Sequence, residues 1–384
     1  MNKKPNPWRE PLIFSVCFLA FVALFVIPMG VINMLNTMMN TAFDLLINTC
    51  FYLMSICVLA GALSALLTEF GVVGVLNRLL SPLLGPLYDL PGAASLGLVT
   101  TFLSDNPAIL TLANDHSFRK YFKKYQLPAL TNLGTAFGMG LIVCTYMISL
   151  QSMTGVSHVA PVLVGLLGAV VGSIVSVRIM LFFTKKLYGT EEPAYKNVLD
   201  DAVLQDNVSK KHETVMSRLL NAMLDGGKSG VDMGMAIIPG VLIICTFIMM
   251  LTNGPSASGE YTGAAYEGIQ LLPAIAEKLR FILQPLFGFS SAEAIAIPVT
   301  ALGAAGAALG LVGKLIGQGL IDSGDIAVFT AMCMCWSGYI STHVSMMNSL
   351  KSNELIGRAI LSHTIGGLCA GVAANWIFPL VSLI

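Results

Sequence analysis

Apolar runs close to the ~20 residues that a bilayer crossing requires recur along the chain, with short polar stretches between them. They fall at 11–32, 42–67, 127–150, 159–183, 231–251, 326–349 and 360–381. The pattern predicts an all-α polytopic membrane protein of about seven full spans. Two further apolar segments do not read as plain crossings. The first, 91–113, has Ser104-Asp105-Asn106-Pro107 at its centre. Pro107 breaks a helix and restricts the residue before it. Each arm is left with ~10–12 residues, or ~15–18 Å, about half of a bilayer core. The second, 290–319, carries Pro298 and then the small-residue run Ala301-Leu302-Gly303-Ala304-Ala305-Gly306-Ala307-Ala308. Both predict re-entrant helical hairpins, at 91–116 and 290–319. Irregular backbone at that depth is tolerated only where protein or a water-filled cavity covers it.

Charge orders these pieces, because cytoplasmic loops carry the excess of Lys and Arg. Basic residues gather at Lys3, Lys4 and Arg9, at Arg78, at Arg119, Lys120, Lys123 and Lys124, across 185–228, and at Lys351 and Arg358. The stretches 33–41, 152–158 and 252–270 contain no Lys or Arg. The charge rule is met by an inner N-terminus, an outer C-terminus and hairpins entering from opposite faces. Of the 21 basic residues, only Lys278, Arg280 and Lys314 then fall outside. The first apolar run is longer than a signal-peptide core and no Ala-x-Ala site follows it, so it reads as a retained span.

Two halves emerge. An anchor span at 1–40 precedes a first repeat at 41–184, a cytoplasmic loop at 185–228 and a second repeat at 229–384. Each repeat runs span, amphipathic interfacial segment, hairpin, span, span, with opposite polarity. Ser81-Pro82-Leu83-Leu84-Gly85 precedes the first hairpin and Gln284-Pro285-Leu286-Phe287-Gly288 the second. Inverted repeats with broken helices in corresponding positions are the pattern of secondary transporters, whose substrate sits near the midplane.

Composition narrows the function classes. Hydrophobic residues are 55% and charged residues 11%, and Lys+Arg balances Asp+Glu at 21 each. That excludes a basic nucleic-acid binder and an acidic tail. The eight cysteines all lie in apolar segments without CxxC spacing, which argues against a disulfide scaffold or a cysteine zinc site. No Gly-x-Ser-x-Gly, His-Glu-x-x-His or carboxylate dyad is present, so the chain does not read as an enzyme. Gly226-Gly227-Lys228-Ser229 lacks the upstream glycine and strand of a phosphate-binding loop.

The order span, interfacial helix, hairpin, span, span, repeated upside down, resembles the core of the concentrative nucleoside transporters over about residues 45–384. The stretches 80–113 (Leu-Ser-Pro-Leu-Leu-Gly-Pro-Leu-Tyr-Asp-Leu-Pro-Gly-Ala-Ala-Ser onward) and 281–313 also resemble the nucleoside recognition, or Gate, domain of bacterial membrane proteins. The resemblance implies a nucleoside-like or other small polar solute and a homo-oligomer, a trimer. It also carries a second reading, a Gate-domain assembly or signalling protein that does not transport. Where nucleoside transporters have a Gln-Thr-Glu type signature, this chain has Ser104-Asp105-Asn106-Pro107, which leaves the substrate open.

Candidate site residues follow from the breaks. A carboxylate near the midplane costs at least ~2.5–3.5 kcal/mol unless compensated. Asp105 and Asn106 therefore read as binding a coupling cation or the solute, or Asp105 caps the second hairpin helix. Thr100, Thr101 and Ser104 line the same tip or bond back to helix carbonyls. Glu293 is the only carboxylate of the second hairpin. It completes a Ser-x-x-Glu capping box with Ser290, or it faces a pocket, as the resemblance implies. Thr300, with Gly303 and Gly306, fits a flexible tip. The spans after each hairpin are expected to unwind, around Asn132 and Thr135 and around Trp336, Ser337, Tyr339, Thr342 and His343. Unwound carbonyls with Asn, Ser and Thr oxygens suit Na+, and His343 suits a proton. Trp336 and Tyr339 suit stacking on a planar solute or on a neighbouring helix. The substrate set is thus Thr100, Thr101, Ser104, Asp105, Asn106, Glu293, Thr300, Trp336 and Tyr339. The ion set is Asn132, Thr135, Ser337, Thr342 and His343. The expectation is a cation-coupled secondary transporter in the plasma (inner) membrane, using Na+ or H+. It has no metal site and no organic cofactor, and its partners are a small-molecule solute and the bilayer, not nucleic acid.

Overall fold

The computed structural model describes residues 8–114, 116–194, 214–256 and 258–381. Lys3, Lys4, Asp115 and the 195–213 part of the expected loop lie outside them. In chain order the helices are α1 (Arg9–Met29), α2 (Val31–Glu69) and α3 (Val72–Tyr88). A short pair follows, α4 (Ala94–Leu103) and α5 (Pro107–Asn114), and then α6 (Gln126–Thr135), α7 (Gly140–Ser149) and α8 (Val159–Tyr188). The second half has α9 (Val215–Thr252), α10 (Leu271–Lys278) and α11 (Arg280–Phe287). A second short pair, α12 (Ala296–Ala301) and α13 (Ala305–Gly317), leads to α14 (Ser323–Cys335), α15 (Tyr339–Ser349) and α16 (Ile356–Val381).

Among the described residues, six helical stretches are long and apolar enough to cross a membrane: Arg9–Met29, Val31–Glu69, Gln126–Thr154, Val159–Tyr188, Val215–Thr252 and Asn353–Val381. The chain is a multi-pass membrane protein. Its outer helices expose leucine and phenylalanine freely, as Leu12, Phe14, Leu19 and Phe182 do, and only a lipid solvent makes that favourable. The seventh expected span, 326–349, is interrupted at 336–338, leaving helices of 13 and 11 residues. The expected polar loop 185–228 ends sooner than its composition suggested. Thr214 accepts from the Ser217 N–H as an N-cap, and a helix runs from Val215.

Small residues set the packing of the long helices. α2 and α9 run antiparallel with backbones in contact: a Cβ on Gly230 would meet Val58 Cα at 2.5 Å, and one on Gly234 would meet Met54 Cβ at 2.7 Å. Gly226, Gly230 and Gly234 recur every fourth residue, so one face of α9 is bare backbone. α8 and α16 pair the same way, Gly168 against the Ala370 carbonyl at 2.7 Å and Gly172 against the Gly366 carbonyl at 2.5 Å. Each half therefore contributes one helix to each tight pair. Both long helices of the first pair also carry a π-helical turn, Leu45–Cys50 and Val241–Cys245, and the two turns touch. Such turns arise where one extra residue is accommodated, often at functional sites.

Outside these pairs, α1 lies on the second half through Phe21 and Phe25 against Phe247. The first turns of α2 dock on the segment after α9. Asn33 and Asn40 donate to the carbonyls of Tyr261 and Gly263, and Tyr266 N–H donates to Thr41.

Candidate functional site

The two short pairs place two backbone turns inside the helix assembly, at 104–106 and 302–304. The two interrupted spans place two breaks beside them. Between α6 and α7 the chain leaves helical geometry at 136–139, where Met139 is held at φ +56°; between α14 and α15 it does so at 336–338, where Gly338 sits at φ +68°. Left-handed geometry costs a side-chain-bearing residue energy, so Met139 is held there by its surroundings.

All four irregular segments meet. Asn106, 3% exposed, donates from Nδ2 to the Ser337 carbonyl at 2.7 Å and to its Oγ at 3.1 Å. Ser337 Oγ lies 3.5 Å from the Thr135 carbonyl, on the first break. Gly138 lies so close beneath that a Cβ there would run into Asn106 Oδ1 and Ser337 Oγ. From the other half, Gly338 N–H reaches the Ala301 carbonyl at 3.4 Å, and a Cβ on Gly338 would stand 3.3 Å from the Gly303 carbonyl. The break at 336–338 is thus touched by the turn of each short pair. Among the described residues, backbone carbonyls, an amide and a hydroxyl concentrate there without a basic side chain, a donor set suited to a hard cation or a polar solute.

Asp105 sits at this turn, half-buried. Its Oδ1 accepts from the Asn106 N–H at 2.7 Å. The capping role expected for it is not formed. Pro107 has no N–H to offer, and the N–H groups of Ala108 and Ile109 go to the carbonyls of Asp105 and Asn106. Among the described residues no basic side chain pairs with Asp105.

Six of the expected hydroxyls bond back to their own helix, Thr135 to Thr131 among them. Thr100 donates to Leu96, Thr101 to Gly97, Ser104 to Thr100, Thr300 to Ala296 and Thr342 to Gly338. Buried hydroxyls on helices default to this bond when no other acceptor faces them. Glu293 stands apart. It begins the second pair, at the end of the arm away from the turn, and borders a surface cleft of about 460 Å³ with Gln270, Pro273 and Glu277. Its capping box with Ser290 does not form. The Ser290 N–H goes instead to Asp325 Oδ1 at 3.3 Å, because Asp325 and Asp322 make the capping box of α14.

A second polar cluster lies against the same break, and it contains the rest of the expected residues. Asn132, fully buried, donates from Nδ2 to Ser176 Oγ and Ser362 Oγ, both at 3.0 Å. Ser176 Oγ lies 3.0 Å from His363 Nδ1, and His363 Nε2 reaches the Cys335 carbonyl. His343 stacks edge-on against His363 with ring centroids 4.8 Å apart. Tyr339 lies 5.1 Å from His363 and donates to or accepts from Thr364 at 2.6 Å. Trp336 packs against Gly367 of α16 and stacks on Tyr339 at 6.2 Å. Both aromatics are buried among helices. Thr135 bonds to Thr131 and approaches Met346 Sδ at 3.8 Å.

The sequence reading did not single out His363, Ser176 or Ser362. The signal was the triplet Ser362-His363-Thr364 inside an apolar span, where buried polar groups need a reason.

No family model matches the chain, and no curated protein matches it. Solved structures do. A structure of CNTnw in an inward-facing substrate-bound state aligns over 87% of this chain and 76% of that chain, at 18% identity and a TM-score of 0.47. A CNTnw variant in an outward-facing state aligns over 86% and 76%, at 16% identity and a TM-score of 0.45. Another, in an intermediate state, covers the same shares at 18% identity and a TM-score of 0.45.

Proposed function

We propose that this protein is a secondary transporter, coupled to Na+ or H+, that moves a small polar or nucleoside-like solute by alternating access. The observation that carries the reading is the meeting of two turns, one from each half, on one interrupted helix: Asn106 on Ser337 and Ala301 on Gly338. Structural helices have no need of two broken spans and two half-length pairs at one place. Irregular backbone inside a membrane protein is kept where it serves a pathway. On this reading each short pair is a re-entrant hairpin, one from each membrane face. The N-terminus is inside, where the basic residues gather. Moving either turn off the 336–338 break would open the centre to one side. Asn106, Ser337 and the carbonyls of the two breaks hold the ion or solute, and Asp105 neutralises its charge.

The test is a solute screen by thermal shift on the purified full chain, with and without Na+ and across pH, followed by uptake into proteoliposomes. A solute that stabilises the protein only with Na+ or at acid pH, and loses that effect in Asp105→Asn or Asn106→Ala, supports the reading. Flat profiles across nucleosides, bases, amino acids and short peptides, with no uptake, overturn it.

A further inference from the structure

The network around His363 has a direction. The Cys335 carbonyl can only accept, so Nε2 carries the hydrogen. In the neutral ring Nδ1 then accepts, and the Ser176 hydroxyl donates to it. Asn132 donates to Ser176, and Ser362 donates to the Ala359 carbonyl. A second arrangement of the same atoms exists. With a proton on Nδ1, the ring donates to Ser176 Oγ, and the serine hydroxyl hydrogen turns away from the ring.

Burial works against a charge on the ring, and two neighbours of His363 work the other way. Cys335 is the last residue of α14, so its carbonyl is the negative end of that helix, which stabilises a cation. The Tyr339 ring, 5.1 Å away, adds an aromatic face. Beside His363 stands His343, fully buried, with neither ring nitrogen hydrogen-bonded, and Asn132 Oδ1 is likewise unpartnered. Buried polar atoms left without partners are costly.

Among the described residues, the titratable side chains beside the pair are Tyr339, in ring contact with both histidines, and Cys335; Tyr88, whose hydroxyl is bonded to Ser173, and Cys369 interact with Cys335. α6 has none. Several charged groups of the packed segments are engaged elsewhere, and Asp325 caps α14. Arg178 donates to the carbonyls of Pro86 and Leu87, Lys185 pairs with Asp89, Arg358 lies over Phe183, Glu354 accepts from Tyr188, and Arg280 pairs with Glu277.

We propose that the His343–His363 pair is a binding site for one proton, which rests on His363 between Ser176 and the Cys335 carbonyl. Two imidazolium rings 4.8 Å apart repel, so the pair holds one proton, not two. As the coupling site, it rests on the transporter reading above. Cys335 is followed directly by the 336–338 break, so a proton on His363 bears on the residues that touch both turns. As a proton site, it stands without that reading.

The experiment is NMR of the full chain, 15N-labelled at histidine, in lipid nanodiscs between about pH 5 and pH 8, the range in which histidine titrates. The chain has five histidines, and the pair is assigned with His343→Asn and His363→Asn. If His363→Asn does not fold, Ser176→Ala identifies its signal by perturbation. The expected result is a His363 that is neutral with hydrogen on Nε2 at high pH and becomes imidazolium as pH falls, while His343 stays neutral. A His363 that remains neutral at every pH where the protein is folded overturns the proposal. Titration of His363 without any transported solute retires the transporter reading and keeps the proton site. Uptake driven by Na+ with His363 neutral throughout does the reverse.

Discussion

Asn106 and Ser337 lie 231 residues apart in the chain and are joined by a 2.7 Å hydrogen bond from the Asn106 amide to the Ser337 carbonyl. The bond crosses from one half of the molecule to the other. Its acceptor is free only because the helix is interrupted: in an intact α14–α15 helix that carbonyl would belong to the N–H four residues on.

Asn106→Ala should therefore cost more than Ser337→Ala. The first leaves a buried carbonyl unsatisfied, worth about 1–3 kcal/mol. The second removes the hydroxyl's contacts, at 3.1 Å to Asn106 Nδ2, 3.3 Å to its Oδ1 and 3.5 Å to the Thr135 carbonyl, and leaves the shortest bond intact. Chemical unfolding of both single variants and the double variant in detergent measures this. Equal costs would mean that the hydroxyl, not the carbonyl, carries the joint.

Gly138 gives a second test of the same joint. Its Cβ would strike Asn106 Oδ1 and Ser337 Oγ, so Gly138→Ala should destabilise by about 1–3 kcal/mol as overpacking does. In an Asn106→Ala, Ser337→Ala background both obstacles are gone, and the added methyl should be tolerated. A cost that persists in that background would place the strain elsewhere.

Which parts of this architecture were legible in the sequence follows from physics. Pro107 and the long small-residue run announced the two short pairs, because proline and glycine act locally on the backbone. The glycines near 134–138 and at 338 announced the breaks for the same reason. Glu293 misled because a capping box is a local pattern, and here Asp325, 35 residues on, takes the Ser290 N–H. His363 was missed because the triplet Ser362-His363-Thr364 does not name its partners. Its meaning comes from Ser176 and Cys335, which only the packing of α8, α14 and α16 brings near. The π-helical turns were invisible for the same reason.

The glycine face of α9 predicts a contrast between two helical glycines. Gly230→Ala puts a methyl group 2.5 Å from Val58 Cα, and backbone cannot step aside. It should destabilise the α2–α9 pair by several kcal/mol or prevent folding. Gly74→Ala on α3 meets nothing within 4 Å. It should be neutral or stabilise by about 0.5–1 kcal/mol, through helix propensity alone. Thermal denaturation of the two variants side by side decides it.

Lys314 of α13 pairs with Asp44 of α2 at 2.6 Å, with side chains 27% and 30% exposed. Asp44 also accepts from Asn48 at 2.7 Å and from Tyr266. Solvent screening limits the ion pair itself to about 1 kcal/mol. Lys314→Met should cost about that, and less as salt is raised. Asp44→Asn disturbs three partners and should cost more, with the double variant close to Asp44→Asn alone. Additive losses in the double variant would show that the two side chains do not act on one another.

Glu267, in the segment between α9 and α10, gives the pH prediction. Burial opposes its ionisation, but the hydroxyl and N–H of Thr262 and the N–H of Gly263 outweigh this and hold its carboxyl below the usual range. The bonds are 2.6 Å to the Thr262 hydroxyl and 2.9 Å to the Gly263 N–H. The folded state therefore binds the proton less readily than the unfolded chain. The stability this provides is complete above the ordinary glutamate value of about 4.3 and is lost as pH falls through that value toward the folded one. Wild type should lose stability between about pH 5 and pH 3. Glu267→Gln should be less stable at neutral pH and lose less over that window, because glutamine keeps one acceptor and has no proton to gain. Unfolding curves of both proteins at neutral pH and at about pH 3.5 test this. Parallel losses would mean that acid acts on the fold through other carboxylates and that the 262–267 turn is held by its backbone.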